Sequence, residues 1–245
     1  MKNILLINCS KRKKNTYNLL IQSEKILKNY NFNTEIINLY DYDIKFCLGC
    51  EHCILKGGCV LNDDVNTLME KLKNCHGLII GTPVYLNNMS GILKTFIDRT
   101  CVWFHRSDMA QKPVLLIGNT QGSGVKNTLN SIEESLRQWG VSFCGNISRT
   151  GAKIKTVPIS YKEISKFINL INNNIDYKPT LKDISYFNVQ RALSSSIFPL
   201  DKEFWTEHNW INNSYFPKTK INILKQAYGN MVYSILSKNL NKNKN

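Results

Sequence analysis

The sequence predicts an α/β protein with a doubly wound, five-stranded parallel sheet and a mostly helical C-terminal extension. Short apolar runs alternate with amphipathic helical segments through most of the 245 residues. The apolar runs are nearly continuous in hydrophobicity, which is typical of strands that a parallel sheet buries on both faces. Beyond Pro179 this alternation stops, and the remaining segments have helical patterns.

Five apolar runs are predicted to form the strands of this sheet. NILLIN, HGLIIG and PVLLIG are continuous apolar runs, whereas FNTEIINL alternates between apolar and polar residues. VSFCGNI supplies the fifth run, and a helical pattern follows each of the five along the chain. The predicted strands are residues 3–8, 32–39, 76–81, 113–118 and 141–147.

Helical periodicity fills the intervals between these strands. Leu19, Leu20 and Leu27 give the first interval its apolar spacing. The acidic pair Asp63 and Asp64 predicts the start of the second helix, with acids in the first turn, where the helix dipole favours them. The predicted helices are residues 17–27, 63–75, 91–104, 128–139 and 159–175.

The last of these helices is expected to close a core domain of residues 1–178, with residues 179–245 forming an extension. The extension contains an aromatic segment, FWTEHNW, and an apolar stripe at helical spacing. Such a stripe packs either against the protein's own core or against a second subunit. Its residues are Ile221, Leu224, Tyr228, Met231 and Ile235.

Composition indicates a soluble globular protein, with 42% hydrophobic and 20% charged residues. The sequence contains no stretch of eighteen consecutive apolar residues, and its N-terminal segment lacks a small-residue cleavage site. Neither a membrane span nor a signal peptide is therefore expected. The net charge of +14 would attract acidic partners, whether electron-carrier proteins, nucleotides or nucleic acid. A compositional bias towards lysine is the alternative explanation of this charge.

Four cysteines stand close together in the segment CLGCEHCILKGGC, at Cys47, Cys50, Cys53 and Cys59. Three thiolates at this spacing curl a loop around one centre and a fourth closes the cage, as in proteins that bind a 4Fe–4S cluster. Structural zinc usually takes two separated CxxC pairs, and the sequence has no second pair. Zinc, and reduced thiols without metal, remain as alternatives. Closely spaced reduced thiols also favour a cytoplasmic protein.

Three polar loops follow predicted strands, and ligands of open α/β sheets bind beyond the carboxyl ends of the strands. Residues 9–16 combine hydroxyls, an amide and a guanidinium ahead of a helix N-terminus, which are the parts of an anion site. Residues 81–91 place Pro83 and Tyr85 as a rigid lip suited to a planar ring. Residues 119–124 are small and polar, so that backbone can approach a ligand closely.

Three segments resemble the motifs of a known family. SKRKKNT is similar to a GSPRxxxNT loop, CLGCEHCILKGGCVLNDDV to a compact cysteine motif followed by an acidic pair, and GTPVYLNNMSGILKTFIDR to GSPVYxxxxSxxLKxFxDR. With these motifs the chain resembles the flavodoxin-like NAD(P)H-dependent oxidoreductases that bind FMN, and within them the iron–sulfur flavoproteins. The resemblance covers residues 3–150. Cys9 and Lys11 depart from it, because the family has Gly and Pro there.

The resemblance implies FMN as the cofactor, bound by the loops after the first, third and fourth strands. It implies that Asn87 and Gly122 lie at the polar edge of the isoalloxazine ring. It also implies a homo-oligomer, because a neighbouring subunit often completes FMN sites in this fold. Hydride transfer to flavin requires no side-chain acid or base, so no catalytic residue is assigned. The implied phosphate ligands are Ser10, Arg12, Asn15 and Thr16, and the implied ring contacts are Pro83, Val84 and Tyr85.

Taken together, the residues and the resemblance predict an FMN-dependent electron-transfer oxidoreductase with a 4Fe–4S cluster next to the flavin, taking electrons from NAD(P)H or ferredoxin. One alternative is an NAD(P)H-dependent flavin or quinone reductase without a cluster. Another is a basic nucleic-acid-binding protein with a zinc knuckle, which would leave the three strand-end loops unexplained. Among the other residues, Cys75, Cys101 and Cys144 are predicted to be buried. Asp98 and Arg99 are predicted to form ion pairs within or beyond the end of their helix.

Overall fold

Five parallel strands form one sheet in the computed structural model, which describes residues 1–242. The strands are β1 (Asn3–Asn8), β2 (Asn33–Asn38), β3 (Gly77–Pro83), β4 (Pro113–Thr120) and β5 (Ser142–Thr150). Their order across the sheet is β2-β1-β3-β4-β5, the order of flavodoxin-like folds. The predicted fold class is confirmed.

Helices connect the strands and cover both faces of the sheet. A 3₁₀ turn at Leu39–Asp41 follows β2. The helices are α1 (Asn15–Asn29), α2 (His52–Leu55), α3 (Val65–Asn74), α4 (Gly91–Arg99), α5 (Val102–His105), α6 (Val125–Gln138), α7 (Lys153–Thr156), α8 (Tyr161–Ile171), α9 (Leu181–Ser196), α10 (Pro199–Glu207) and α11 (Ile223–Lys242).

Two hydrophobic layers hold the sheet between the helices, because successive strand residues point to opposite faces. Ile7 and Ile80, paired in register across β1 and β3, face the layer built with α3, α4 and α6. Leu6 and Ile79 are also paired and face the layer built with α1 and α8. Each fully buried aliphatic side chain of this kind contributes about 1.5–3 kcal/mol to folding. This burial fixes the register and brings the carboxyl ends of the strands to one edge.

The helix expected over residues 91–104 is divided into α4 and α5. Thr100 lies at the break, where its hydroxyl donates to the carbonyl oxygen of Ile97 at 2.8 Å. The division turns Cys101 outward, and this residue is exposed rather than buried as predicted. Cys75 and Cys144 are buried, as expected.

The acidic pair marks the start of α3, as predicted, but it lies just before the first turn rather than within it. The helix begins at Val65, so Asp63 and Asp64 both precede its first turn. Asp64 accepts a hydrogen bond from the backbone N–H of Asp43 at 2.7 Å, and Asp63 accepts one from that of Lys45 at 3.0 Å. The two carboxylates therefore hold the chain that enters the cysteine-containing segment.

The C-terminal extension is helical, as predicted, and has a small aromatic core of its own. Its cluster is formed by α9, α10 and the chain after α10, at Ile184, Phe187, Trp205, Trp210, Tyr215 and Phe216. Ile221 and Tyr228 of the predicted apolar stripe pack against this cluster. The other members of the stripe, Leu224, Met231 and Ile235, are exposed. Among residues 1–242, no helix combines the length and the hydrophobicity needed to cross a bilayer.

Two ion pairs of very different exposure join α6 to α9. Arg137 contacts Asp183, and both side chains are less than a tenth exposed. Asp183 also accepts hydrogen bonds from the Thr180 backbone N–H at 2.7 Å and from the Tyr177 hydroxyl at 3.0 Å. Lys182 and Glu134 pair at 2.5 Å with about half of each side chain exposed. The buried pair is the one that can fix the extension to the sheet domain, since solvent-exposed pairs contribute little.

We expect Asp183→Ala to lower the free energy of unfolding by about 1–3 kcal/mol, because Arg137 would keep only Glu133 of its own helix and the donors at Tyr177 and Thr180 would lose their acceptor. Glu134→Ala, the control on the same pair of helices, should lower it by less than about 1 kcal/mol. Urea denaturation followed by tryptophan fluorescence measures both. Equal effects of the two substitutions would contradict this assignment.

Candidate functional site

A cavity of about 460 Å³ opens at the carboxyl ends of β1, β3 and β4. The loops after these strands supply most of its walls, and the segment after β5 supplies one side chain. The lining residues are Ser10, Arg12, Lys14, Asn15, Thr16, Pro83, Val84, Tyr85, Asn119, Thr120, Gln121, Gly122 and Ile154.

The β1–α1 loop leads into the basic N-terminus of α1. The Ser10 hydroxyl and the Lys14 backbone N–H both donate to the carbonyl oxygen of Arg12, at 3.1 and 2.8 Å, which tightens the turn. α1 begins at Asn15, with its N-terminus at the cavity. The first backbone N–H groups of the helix have no partner within it and are directed towards that end. Free N–H groups, the helix dipole and two cationic side chains are features that favour an anion at this end of the cavity.

Thr16 and Asn119 connect two of the loops inside the cavity wall. The Asn119 side-chain amide donates to the Thr16 hydroxyl oxygen at 2.7 Å, and both residues are buried. Because Thr16 accepts this bond, its own hydroxyl hydrogen is available to a ligand oxygen. The Val84 backbone N–H donates to the Asn119 carbonyl at 3.0 Å, so the β3 and β4 loops are held together as well.

The loop after β3 ends in a tight turn. Tyr85 and Asn88 exchange backbone hydrogen bonds of 2.9 and 3.0 Å, and Leu86 and Asn87 between them have φ of 48° and 61°. Positive φ at both central residues is the geometry of a type I′ turn. Tyr85 is half exposed and presents its ring at the cavity mouth.

Asn87 packs against the backbone of the neighbouring β4–α6 loop. Gly124 has a φ of +88°, and a Cβ there would lie 2.0 Å from the Asn87 side-chain oxygen. Only glycine combines this backbone conformation with so close an approach.

The cavity brings together eight of the nine residues that the sequence assigned to the cofactor, and Asn87 lies beside it rather than on its lining. Sequence reasoning missed Lys14, Asn119, Thr120 and Gln121, although it had identified the loops that carry them. It also missed Ile154, because β5 continues to Thr150 and carries the chain farther towards the cavity than predicted. A larger cavity, of about 630 Å³, lies at the amino ends of β1 and β2 and contains none of the predicted residues.

The four motif cysteines lie on the cysteine loop, which we define as residues 45–63, between the 3₁₀ turn and α3. All four are free thiols; Cys47 and Cys50 are exposed, and Cys53 and Cys59 are half-buried. Burial raises the pKa of Cys53, and the neighbouring thiols of the other three raise it further. Within residues 1–242, no three His, Cys, Asp or Glu side chains are gathered closely enough to hold a single metal ion.

Arg99, the last residue of α4, holds both ends of the cysteine loop. Its guanidinium donates to the Lys45 carbonyl at 2.9 Å and to both carboxylate oxygens of Asp63, one of them at 3.0 Å. It also donates to the Cys59 sulfur at 3.4 Å. Burial opposes ionisation of Asp63, but the hydrogen bonds from Arg99 and from backbone N–H groups outweigh it and lower the pKa of this carboxyl. Asp98 pairs separately with Lys94 on the helix surface.

Arg106 holds the middle of the same loop and connects it to the extension. It donates to the carbonyl oxygens of Cys53 at 2.7 Å and Ile54 at 3.2 Å. Asp201, on α10 and almost fully buried, contacts Arg106 with one carboxylate oxygen and His105 Nδ1, at 2.7 Å, with the other. The C-terminal extension therefore fixes the arginine that binds the backbone at Cys53.

We expect Asp201→Asn to loosen α2, because Arg106 would lose the charge that orients it. Trypsin should then cleave after Lys56, which follows α2, faster than in the unmodified protein. Asp98→Asn, which removes an exposed carboxylate from α4, serves as the control and should leave cleavage unchanged. Peptide mass analysis over time measures the rate at each site; equal acceleration at every site would indicate general destabilisation and contradict the specific link to α2.

The chain matches known proteins in sequence. Residues 2–150 match the profile of the NADPH-dependent FMN reductase family. An iron–sulfur flavoprotein of Archaeoglobus fulgidus is 43% identical over 200 residues, which cover 79% of this chain and 92% of that protein. An iron–sulfur flavoprotein of Methanosarcina thermophila is 26% identical over 167 residues, covering 62% of this chain and 87% of that protein.

Solved structures share the fold. The apo form of the NADH:FMN oxidoreductase EMOB has a TM-score of 0.51 at 18% identity, over 73% of this chain and 92% of that one. RosB with a bound 8-demethyl-8-formylriboflavin-5'-phosphate intermediate has a TM-score of 0.53 at 16% identity, over 91% and 92%. With a family match over most of its length and a 43% identical relative, this chain belongs to the NADPH-dependent FMN reductase family, among its iron–sulfur flavoproteins, and is an FMN-dependent oxidoreductase.

Proposed function

We propose that this oxidoreductase transfers electrons between FMN in the strand-end cavity and a 4Fe–4S cluster bound by Cys47, Cys50, Cys53 and Cys59. The observation that carries the proposal is the pairing of an anion-binding cavity with a loop of four free thiols in one flavin-binding fold. The cysteine loop leaves the sheet after the carboxyl end of β2.

The cavity residues fit the phosphate and ring of FMN. Arg12 and Lys14 would neutralise the phosphate, with Ser10 and Asn15 beside it, and the free hydroxyl hydrogen of Thr16 would point to a phosphate oxygen. The isoalloxazine ring would lie against Pro83, Val84 and Tyr85. The backbone at Gly122 would meet the polar edge of the ring, and Asn87 would act by holding the turn at Gly124 in place.

The cysteine loop fits a cluster by the chemistry of its donors. Thiolates around one zinc ion lie about 3.8 Å apart, because each Zn–S bond is about 2.3 Å long. The ligands of a cubane bind four different irons and lie farther apart. Three cysteines at x2 spacing with a fourth six residues further on, and no second CxxC pair, favour the cluster over zinc. The Arg99 guanidinium offsets part of the negative charge that thiolates would bring.

When bound, the flavin supplies two-electron and one-electron chemistry, and the cluster supplies one-electron chemistry. The chain would position both groups through the cavity and the cysteine loop. Since hydride transfer to flavin needs no side-chain acid or base, no residue of the cavity has to titrate for the reaction.

NAD(P)H or reduced ferredoxin would be the electron donor. A nicotinamide would stack over the ring at the open mouth of the cavity, beside the half-exposed Tyr85. An acidic electron-carrier protein would be attracted by the net charge of +14. A cytoplasmic location, a homo-oligomer and the division into residues 1–178 and 179–245 belong to the same proposal.

A cluster-free flavin or quinone reductase is the second candidate. It is favoured by the match of residues 2–150 to the profile of the NADPH-dependent FMN reductases. The nucleic-acid-binding alternative is not retained, because membership of the FMN reductase family explains the strand-end loops.

We expect Cys50→Ser to abolish iron and acid-labile sulfide binding in anaerobically prepared protein while FMN is retained. Cys101→Ser, which removes an exposed thiol outside the motif, is the matched control and should keep the full iron content. Metal, sulfide and flavin analysis of each variant measures this. Unchanged iron in Cys50→Ser would refute the ligand assignment, and iron-free wild-type protein that retains FMN would favour the second candidate.

We expect Arg12→Ala to weaken FMN binding by about 10- to 100-fold, the equivalent of about 1.5–3 kcal/mol for a hydrogen bond to a charged group. Riboflavin binding should stay unchanged, because riboflavin has no phosphate. Lys162→Ala, on the exposed face of α8, is the control. Quenching of flavin fluorescence by apoprotein gives both affinities; an equal loss for FMN and riboflavin would place Arg12 away from the phosphate.

A further inference from the structure

Arg99 is a buried cation inside the wall of the cysteine loop. Only 1% of its side chain is exposed, and none of the side chain of its partner Asp63 is. The two Nη atoms are shared among the Lys45 carbonyl, the Asp63 carboxylate and the Cys59 sulfur. A buried charge of this kind is a larger electrostatic influence on its neighbours than a surface charge, because water screens it less.

The contacts close the cysteine loop at its base. Lys45 lies two residues before Cys47, and Asp63 lies four residues after Cys59, so one guanidinium bridges the two ends. Asp63 reinforces the bridge by accepting hydrogen bonds from the backbone N–H groups of Lys45 at 3.0 Å and Val65 at 3.2 Å. Arginine suits this position because its planar fork directs several donors at once, which a lysine ammonium does not.

Through its contact with the Cys59 sulfur, the Arg99 guanidinium also acts on the reduction potential of a bound cluster. Hydrogen bonds to ligand sulfurs and the net local charge set the reduction potential of iron–sulfur clusters. Reduction adds one electron and no bond, so a nearby positive charge stabilises the reduced form more than the oxidised form. Asp63 acts in the opposite direction, because its carboxylate neutralises part of the charge of Arg99.

We propose that Arg99 is a positioning residue of the cysteine loop that, through its N–H···S contact with Cys59, raises the reduction potential of the cluster, and that Asp63 limits this effect. The inference rests on the proposed function, since it requires a cluster on the four cysteines. Beyond its role in folding, the ion pair sets the reduction potential of the cluster and thereby the driving force for electron transfer.

The test measures the cluster potential in Arg99→Gln and Asp63→Asn, prepared without oxygen, by redox titration monitored with electron paramagnetic resonance. Arg99→Gln removes the charge and should lower the potential. Asp63→Asn leaves the guanidinium unneutralised and should raise it. The control is Arg149→Gln, which breaks the partly buried pair with Glu163 at the β5 side of the sheet and should leave the potential unchanged.

Shifts of opposite sign distinguish tuning from a merely structural role, because simple loosening of the loop would move both variants in the same direction. Equal potentials in all variants, or shifts of the same sign, would overturn the inference while leaving the cluster assignment intact. If Arg99→Gln does not fold, Asp63→Asn decides alone, with an unchanged or lowered potential counting against the proposal. Wild-type protein without a cluster would defeat the proposed function and this inference with it.

Discussion

The burial of both faces of a parallel sheet is the constraint on which the rest of the molecule depends. Ile7 and Ile80 face one hydrophobic layer and Leu6 and Ile79 the other, so a slip of one residue would exchange every side chain between the two layers. Because all five strands run the same way, this register also sets where their carboxyl ends meet. The loops after β1, β3 and β4 have no core of their own, and they form one cavity because the sheet ends there.

The cysteine loop is held in place by arginine hydrogen bonds and ion pairs. It lies beyond the sheet and contains only one short helix, so apolar burial contributes little to its shape. Two buried arginines replace that burial, with Arg99 binding the base of the loop and Arg106 its middle. Arg106 in turn depends on Asp201 of the C-terminal extension. The extension, which has no part in the sheet, thereby contributes to the geometry of the thiols.

The strands and the loops that line the cavity could be predicted from the sequence because their signals are local: continuous apolar runs, followed by short polar segments. The arginine contacts could not, because Arg99 meets Asp63 across 36 residues and Arg106 meets Asp201 across 95. Nothing in the segment around Asp63 distinguishes a helix cap from a partner of a distant cation. The exposure of Cys101 was missed for a related reason, since an apolar segment with helical spacing gives no sign of the break at Thr100.

Positive charge is exposed at the cavity but buried and paired at the cysteine loop. Around the cavity the cations are exposed at the start of α1, where water and salt screen them. At the cysteine loop the cations are buried and already paired with carboxylates. Buried ion pairs add little net stability over apolar side chains of similar volume, because desolvation offsets their attraction. Two such pairs around four thiols are therefore better explained by what they fix, the position of Cys53 and the charge beside Cys59, than by the stability they add.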